Sequence, residues 1–423
     1  MNNYQPPQTR SSLTSWLSYI GSIHHQAIDL SLERIRTVAE RLDLLKPSAK
    51  TLTVAGTNGK GTTCCVLEAI LLSAGLRVGV YSSPHLLRYT ERIRIQGLEL
   101  PETAHCNSFA DIEAARGTVS LTYFEFSTLS ALHLFKQAAL DVLVLEVGLG
   151  GRLDATNIID ADVAAITSIG LDHIDRLGAD RESIGREKAG IFRRGKPAIV
   201  GEPDMPHSVA TIAAEIEAKL YHCNDDWQFS RQTDDWCWQS GSRILTHLPL
   251  PKVPLQNAAT ALAILHYLAL PLNDSAIYQG LQTAFLPGRF QILTEQPLLI
   301  LDVAHNSHAA RYLIERFDQL PKRSGKIRAV VGMLADKDIA STLTCLSERV
   351  DEWYCVSLTE PRGASAELLA QHVSKPRLFA DVESGWYQAM KDADSQDVVI
   401  VCGSFHTVAQ VMTAYYSSSS AAK

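Results

Sequence analysis

The stretch Thr51-Leu-Thr-Val-Ala-Gly-Thr-Asn-Gly-Lys-Gly-Thr-Thr63 decides the fold. Residues 52–55 are apolar and largely β-branched, the pattern of a buried strand. The turn that follows holds Gly56, Gly59 and Gly61 and is too rich in glycine for helix. A helical pattern runs from 62 to 74. Strand, glycine loop with one lysine, then helix is an arrangement that cradles phosphate, because backbone N–H groups crowd an anion at a helix N-terminus. Lys60 would reach the terminal phosphates, and the Thr62 hydroxyl would sit where Mg²⁺ is held. The competing reading is an ordinary strand–helix loop. Gly61, inserted after the lysine, breaks the general G-x-x-x-x-G-K-[ST] pattern.

Around this loop the sequence alternates. Strands are expected near 77–82, 141–147, 163–167 and 198–200. Helices are expected at 13–20, 31–45, 101–115, 126–139 and 181–189. That alternation predicts a parallel sheet flanked on both faces. Residues 223–247, rich in Trp, Gln, Ser and Asp, suggest a small antiparallel excursion, followed by helices at 255–268 and 275–285. Leu286-Pro-Gly-Arg289 is the candidate hinge. Beyond it a second alternation begins, with strands near 298–302, 327–332, 353–356, 378–379 and 398–402, and helices including 309–320 and 407–416. The fold class is α/β: a P-loop parallel-sheet ATPase domain, 1–287, then a smaller Rossmann-like α/β domain, 288–423.

At 423 residues, two domains are the default. An apolar fraction of 46% and a charged fraction of 20% describe an ordinary soluble protein. A net charge of −7 argues against a nucleic-acid binder working through a broad basic face. The eight cysteines form no C-x-x-C pair, which reads as a reduced, cytoplasmic chain without disulfides or zinc. Residues 1–12 are a polar, disordered lead-in rather than a signal peptide, and no apolar run approaches a membrane span.

In open parallel sheets, ligands bind beyond the carboxyl ends of the strands. Ser82 and Ser83 follow the second strand, Glu146 ends the strand near 141–147, and Asp172, His173 and Asp175 follow the next. Hydroxyls, a carboxylate and a histidine at neighbouring strand ends suit Mg²⁺ with nucleotide phosphates. Each has a plainer reading: Glu146 could pair with Arg152, His173 could be a satisfied turn residue, and Ser83 could be turn chemistry before Pro84. Lys188, near a helix end, reads from spacing alone as a solvated lysine at a helix C-terminus. In the second domain Asp302-Val-Ala-His-Asn306 and Gly403-Ser-Phe-His406 follow apolar strands, and Asn306 and Ser404 are good helix caps. The same segments could equally form one wall of a cleft facing the P-loop domain.

Taken together, Gly56-Thr-Asn-Gly-Lys-Gly-Thr62, Ser82-Ser-Pro-His85, Leu145-Glu-Val-Gly-Leu-Gly-Gly-Arg-Leu-Asp-Ala-Thr-Asn157, Gly170-Leu-Asp-His173, Glu187-Lys-Ala-Gly-Ile191, Pro287-Gly-Arg289, Leu301-Asp-Val-Ala-His-Asn306 and Gly403-Ser-Phe-His406 resemble the folylpolyglutamate synthase family, which belongs with the Mur ligases. The resemblance spans about residues 16–408, keeps motif order, and accounts for Gly61, since G-T-N-G-K-G-[ST] is this family's own P-loop. It implies ATP held by Gly56, Thr57, Asn58, Gly59, Lys60, Gly61 and Thr62, with Asn257, Arg289, Asp302 and His305 as further contacts. It implies Mg²⁺ at Thr62, Ser83, Glu146 and His173, and a carbamylated Lys188 that helps to hold it. Lys60, Lys188 and His173 become the expected catalytic residues. Ser22, Ile23 and His24, Thr122, Tyr123, Phe124 and Glu125, and Leu153, Asp154 and Ala155 fall where bacterial bifunctional members bind the pterin substrate.

The implied reaction joins L-glutamate to dihydropteroate, or to the γ-carboxylate of tetrahydrofolate and folylpolyglutamates. It proceeds through an acyl phosphate formed from ATP, with closure about residues 286–289 excluding water. A monomer is the family expectation, with no nucleic-acid or membrane partner. Two alternatives are a Mur-type ligase acting on a cell-wall precursor and a non-catalytic nucleotide-binding protein. Gly61 and residues 122–125 argue against the first; Glu146, His173 and Lys188 together argue against the second.

Overall fold

The computed structural model describes residues 6–8, 10–321 and 323–421; residues 1–5 and 9 of the expected lead-in lie outside the described residues. The chain divides into two compact units, Met1–Phe285 and Leu286–Lys423.

The first unit is built on an eight-stranded sheet. Its strands are β1 (Lys50–Ala55), β2 (Val78–Tyr81), β3 (Ile93–Ile95), β4 (Leu98–Glu99), β5 (Val142–Glu146), β6 (Val163–Ile166), β7 (Pro197–Val200) and β8 (Lys219–His222). Their spatial order is β4-β3-β2-β5-β1-β6-β7-β8. All pairs are parallel except those made by β3 and β4, which form an antiparallel edge. The central strands β1, β2, β5 and β6 are buried almost throughout, which is why they read as continuous apolar runs. In register Val54 stands beside Glu146, Ala55 beside Ile166 and Tyr81 beside Leu145, so four neighbouring strands end at one level.

The helices of this unit are α1 (Leu13–Ile20), α2 (Glu33–Arg41), α3 (Lys60–Ser73), α4 (Glu102–Arg116), α5 (Tyr123–Gln137), α6 (Ile174–Leu177), α7 (Arg181–Ala189), α8 (His207–Ile216), α9 (Leu255–Leu268) and α10 (Asp274–Thr283). Trp16, Ile35, Phe109 and Phe126 gather α1, α2, α4 and α5 into one apolar core. Ile184, Phe192, Ala198 and Val209 form another beneath α7 and α8. Helix α10 lies against α3 so closely that a Cβ on Gly280 would stand 2.5 Å from Ile70 Cα.

Several boundaries differ from the sequence reading. The helix expected over 31–45 stops at Arg41, because Asp43 takes a left-handed conformation (φ 53°). The helix expected from 126 begins at Tyr123. Thr122 and Glu125 form a capping box there, each side chain accepting the other residue's backbone N–H. Residues 89–95 form a 3₁₀ turn and strand β3, which lies between β2 and the edge strand β4. There Arg94 turns inward to pair with Glu68 of α3 at 2.7 Å. The antiparallel excursion is a three-stranded sheet, β9 (Gln228–Arg231), β10 (Asp235–Ser240) and β11 (Arg243–Pro249), with Trp236 and Trp238 buried on its inner face.

The second unit has six strands, β12 (Gln291–Glu295), β13 (Leu298–Leu301), β14 (Ile327–Val331), β15 (Glu352–Val356), β16 (Pro376–Phe379) and β17 (Val398–Cys402), in the order β12-β13-β17-β14-β15-β16. Only β12 runs antiparallel. Its helices are α11 (Ser307–Asp318), α12 (Ile339–Leu346), α13 (Ala366–Ala370), α14 (Val382–Asp392) and α15 (Phe405–Ala421). Asn306 caps α11, and Ser404 accepts the Thr407 N–H at the start of α15. Helix α15 continues into the Ser/Ala tail, since extending a formed helix needs no new nucleus. No helix among the described residues is long and apolar enough to cross a membrane.

Candidate active site

The loop after β1 is shaped by its glycines and by the end of β6. Gly59, the residue before α3, has φ 85°, and a Cβ there would stand 2.5 Å from the Asn257 side chain. At Gly56 a Cβ would overlap Thr167 Oγ1. Thr167 Oγ1 and Ser168 Oγ donate to the Asn58 carbonyl at 2.6 and 3.0 Å. The Thr57 N–H donates to the Ser168 carbonyl at 2.8 Å, and Thr57 Oγ1 bonds both polar atoms of the Gly170 backbone at 3.0 Å. Lys60 Nζ curls back onto the carbonyls of Gly56 and Thr57 at 2.9 and 3.3 Å. Asn257, on α9, donates to Thr62 Oγ1 at 2.7 Å, and Thr62 itself bonds the Gly59 carbonyl. Gly56, Thr57, Asn58, Gly59, Lys60, Gly61, Thr62 and Asn257 are therefore one assembly.

The neighbouring strand ends bring Ser83 and Glu146 together: the Ser83 N–H donates to Glu146 Oε2 at 3.1 Å. Glu146 is buried at 4% exposure. Arg152, the alternative partner for Glu146, pairs instead with Glu187 at 2.9 Å. His173 sits in a left-handed turn (φ 50°) just before α6, with its N–H held by Asp172 Oδ1. Among the described residues no three His, Cys, Asp or Glu side chains form a metal cluster. Magnesium does not require one, because it keeps water and phosphate oxygens in its shell. Hydroxyl and carboxylate oxygens at Thr62, Ser83 and Glu146 are the hard donors it prefers, so the residues present fit the ion.

Lys188 is not the solvated lysine its spacing suggests. It is 3% exposed, and its amine is pushed down to about 7, first by burial and then by the nearby Lys60 charge. The reason is tertiary. The backbone of α7 at Glu187 and Lys188 packs on Gly151, where a Cβ would come within 2.9 Å of both carbonyls, and the Arg152 N–H donates to the Glu187 carbonyl.

The expected pterin segments are assembled by polar groups that mostly satisfy one another. Ser22 Oγ donates to the Tyr19 carbonyl, the Ile23 carbonyl accepts from Ser120, and His24 bonds Ser120 and Asp29. Thr122 and Glu125 are engaged in their capping box. Asp154 accepts four bonds, from the N–H groups of Gly148, Leu149 and Thr156 and from the Thr156 hydroxyl, and burial raises its pKa. It clamps the loop that carries Leu153 and Ala155. Tyr123 and Phe124 remain half-exposed, and Phe124 lies against Gly148, where a Cβ would sit 2.5 Å from the ring. Sequence reasoning missed Asp29, Arg34, Thr167 and Ser168. The two hydroxyls at the end of an apolar strand were a visible signal; Asp29 and Arg34 gave none.

In the second unit, the buried Asp302 accepts the N–H groups of Phe290 and Ala304 at 2.8 Å. Burial raises its pKa against the opposing pull of Arg289. The Arg289 guanidinium lies over the Phe405 ring at 4.9 Å, and His305 Nδ1 meets the Val303 carbonyl at 2.9 Å.

Gly59→Ala places a Cβ both in the left-handed region and against Asn257. It is expected to weaken ADP binding by at least about tenfold, or about 1.4 kcal/mol, in a protein that still folds. Calorimetric titration checks this; wild-type affinity would contradict it.

Comparison with known proteins matches residues 54–238 to the Mur ligase middle domain and 288–405 to the Mur ligase glutamate ligase domain. The chain is 60% identical over 406 residues to the dihydrofolate synthase/folylpolyglutamate synthase of Escherichia coli (strain K12), covering 96% of each. A solved structure of E. coli FolC in complex with DHPP and ADP superposes with a TM-score of 0.96 at 59% identity, covering 97% of this chain and 99% of that one. A bifunctional folylpolyglutamate synthase/dihydrofolate synthase solved with Mn, AMPPNP and L-glutamate bound gives 0.94 at 70% identity, covering 97% and 100%. With both Mur ligase domains in order and near-complete coverage, this chain belongs to the dihydrofolate synthase/folylpolyglutamate synthase family of Mur ligases.

Proposed function

We propose that the chain is an ATP-dependent ligase that adds L-glutamate to dihydropteroate, giving dihydrofolate, and to the γ-carboxylate of folates. The observation that carries this is the convergence at one sheet edge of a phosphate loop, the Ser83–Glu146 contact and a buried lysine whose amine titrates near neutrality. In this reading residues 1–287 are the ATP-binding domain and 288–423 the glutamate ligase domain. Arg289, Asp302 and His305 supply nucleotide contacts from the second. The chain acts as a cytoplasmic monomer, without nucleic-acid or membrane partners.

A carboxylate is a poor electrophile. Transfer of the γ-phosphoryl group of ATP to the acceptor carboxylate gives an acyl phosphate. The glutamate amine then attacks the carbonyl carbon, and phosphate leaves with one former carboxylate oxygen. Phosphoryl transfer chiefly needs positioning and charge neutralisation. The loop N–H groups and Lys60 supply both to the phosphates. Thr62, Ser83, Glu146 and His173 would hold Mg²⁺, which would supply further positive charge beside the phosphates. The Tyr123 and Phe124 rings offer flat apolar surface to the pterin, and Asp154 holds the loop beside them.

Lys188 and Lys60 repel each other as two ammonium groups. Reaction of the neutral Lys188 amine with CO₂ gives a carbamate and releases a proton, which turns that repulsion into attraction and supplies a carboxylate-like oxygen donor for the metal. The neutral form is about one-tenth of the total at pH 6 and about nine-tenths at pH 8, given a pKa near 7. Enzyme stripped of CO₂ is therefore expected to lose activity and to regain it on adding bicarbonate, more completely at pH 8 than at pH 6. ¹³CO₂ labelling should give a carbamate signal in NMR that Lys188→Arg abolishes. A signal that survives this substitution would exclude Lys188 as the carrier.

The activity is tested by ADP release with each acceptor. Release should require dihydropteroate or tetrahydrofolate together with glutamate, and Lys60→Ala should lower it at least about a thousandfold while the protein stays folded. Turnover that responds only to a muramyl precursor, or to no acceptor, would overturn the proposal.

A further inference from the structure

A closed ring of polar contacts ties two expected pterin segments together, and its central member belongs to neither. Ser120 Oγ meets His24 Nδ1 at 2.7 Å. His24 Nε2 lies 3.1 Å from Asp29 Oδ2, and because a carboxylate only accepts, Nε2 carries the proton. Asp29 Oδ2 pairs with Arg34 Nη1 at 2.9 Å, and Arg34 Nη2 donates to the Asp29 carbonyl at 2.9 Å. The same Nη2 stands 3.2 Å from Glu125 Oε1. Glu125 Oε2 accepts the Thr122 N–H at 2.7 Å, which returns the ring to the segment it started from.

Arg34 is the junction. It places one planar fork between two carboxylates, Asp29, which also meets His24, and Glu125, whose cation partner among the described residues is Arg34 and which is 3% exposed. On one side lies the loop of Ser22, Ile23 and His24. On the other is the cap that sets where Tyr123 and Phe124 emerge. Removing the fork leaves a buried carboxylate without its countercharge, and the two segments lose their common anchor.

We propose that Arg34 is a positioning residue that sets acceptor specificity, holding the two segments in the register that binds the pterin end of dihydropteroate. This rests on the reading above that these segments flank the pterin. Dihydropteroate has only its pterin and aminobenzoate parts to bind with, whereas tetrahydrofolate also carries glutamyl carboxylates. Loss of register therefore weighs more heavily on dihydropteroate.

The test is steady-state kinetics of the full chain carrying Arg34→Met, Arg34→Lys or Asp29→Asn, with Phe124→Ala run in parallel. Arg34→Met should raise the KM for dihydropteroate at least tenfold while kcat and the KM for ATP stay within threefold. It should also lower kcat/KM for dihydropteroate at least fivefold relative to tetrahydrofolate. Arg34→Lys, which keeps the charge without the fork, should recover part of the loss. Asp29→Asn should raise the same KM several-fold, and it serves if Arg34→Met does not fold. A dihydropteroate KM within twofold of wild type in the folded Arg34 or Asp29 variants, or equal losses for both acceptors, overturns the inference. If Phe124→Ala raises the dihydropteroate KM while the Arg34 variants do not, only the role of Arg34 fails. If Phe124→Ala also leaves it unchanged, the placement of the pterin fails, and the inference with it.

Discussion

The grip of the end of β6 on the loop after β1 is the constraint from which the rest of the site follows. A loop of Gly, Thr, Asn and Lys has many conformations, and fixing one costs entropy. Here the cost is met by Thr167 and Ser168, whose hydroxyls and backbone bind Thr57 and Asn58, and by Thr57, which bonds the Gly170 backbone. The same contacts fix the start of the turn that leads to Asp172 and His173. Since β1 and β6 are hydrogen-bonded neighbours, the phosphate loop and this turn are set by one register. On its other edge β1 pairs with β5, which brings Glu146 alongside.

A second feature is how little polar chemistry remains uncommitted in the three segments expected to bind the pterin. His24, Thr122, Glu125 and Asp154 are each consumed in holding backbone or one another. Such groups specify shape, and the half-buried rings of Tyr123 and Phe124 are what these segments leave partly open. This suits a flat heteroaromatic substrate, which gains from ring contacts and from a few fixed hydrogen-bonding groups.

Much of this was legible in the sequence. The strand, loop and helix at residues 50–73 read directly, because parallel strands buried on both faces are uniformly apolar and glycines mark the turn. The strand-end polar residues read as neighbours because the α/β alternation fixes which ends share an edge. Lys188 misled, since helix spacing is one-dimensional and its burial comes from the loop at Gly151 packing across α7. Arg94 shows the same dependence on tertiary contact: its partner Glu68 is 26 residues distant in the chain. Thr122 and Glu125 carried a capping signature in plain view, and the resemblance to a substrate segment hid it. The edge strands β8 and β12 were missed because they are short and partly exposed, with little periodic signal.

The central claim is that this edge of the sheet activates a carboxylate as its phosphate anhydride. The most direct measurement uses dihydropteroate labelled with ¹⁸O in both carboxylate oxygens, turned over with ATP and glutamate, and mass spectrometry of the phosphate released. The account predicts one ¹⁸O atom in each phosphate, with the other retained in the new amide. Unlabelled phosphate, formed as fast as dihydrofolate, would contradict it.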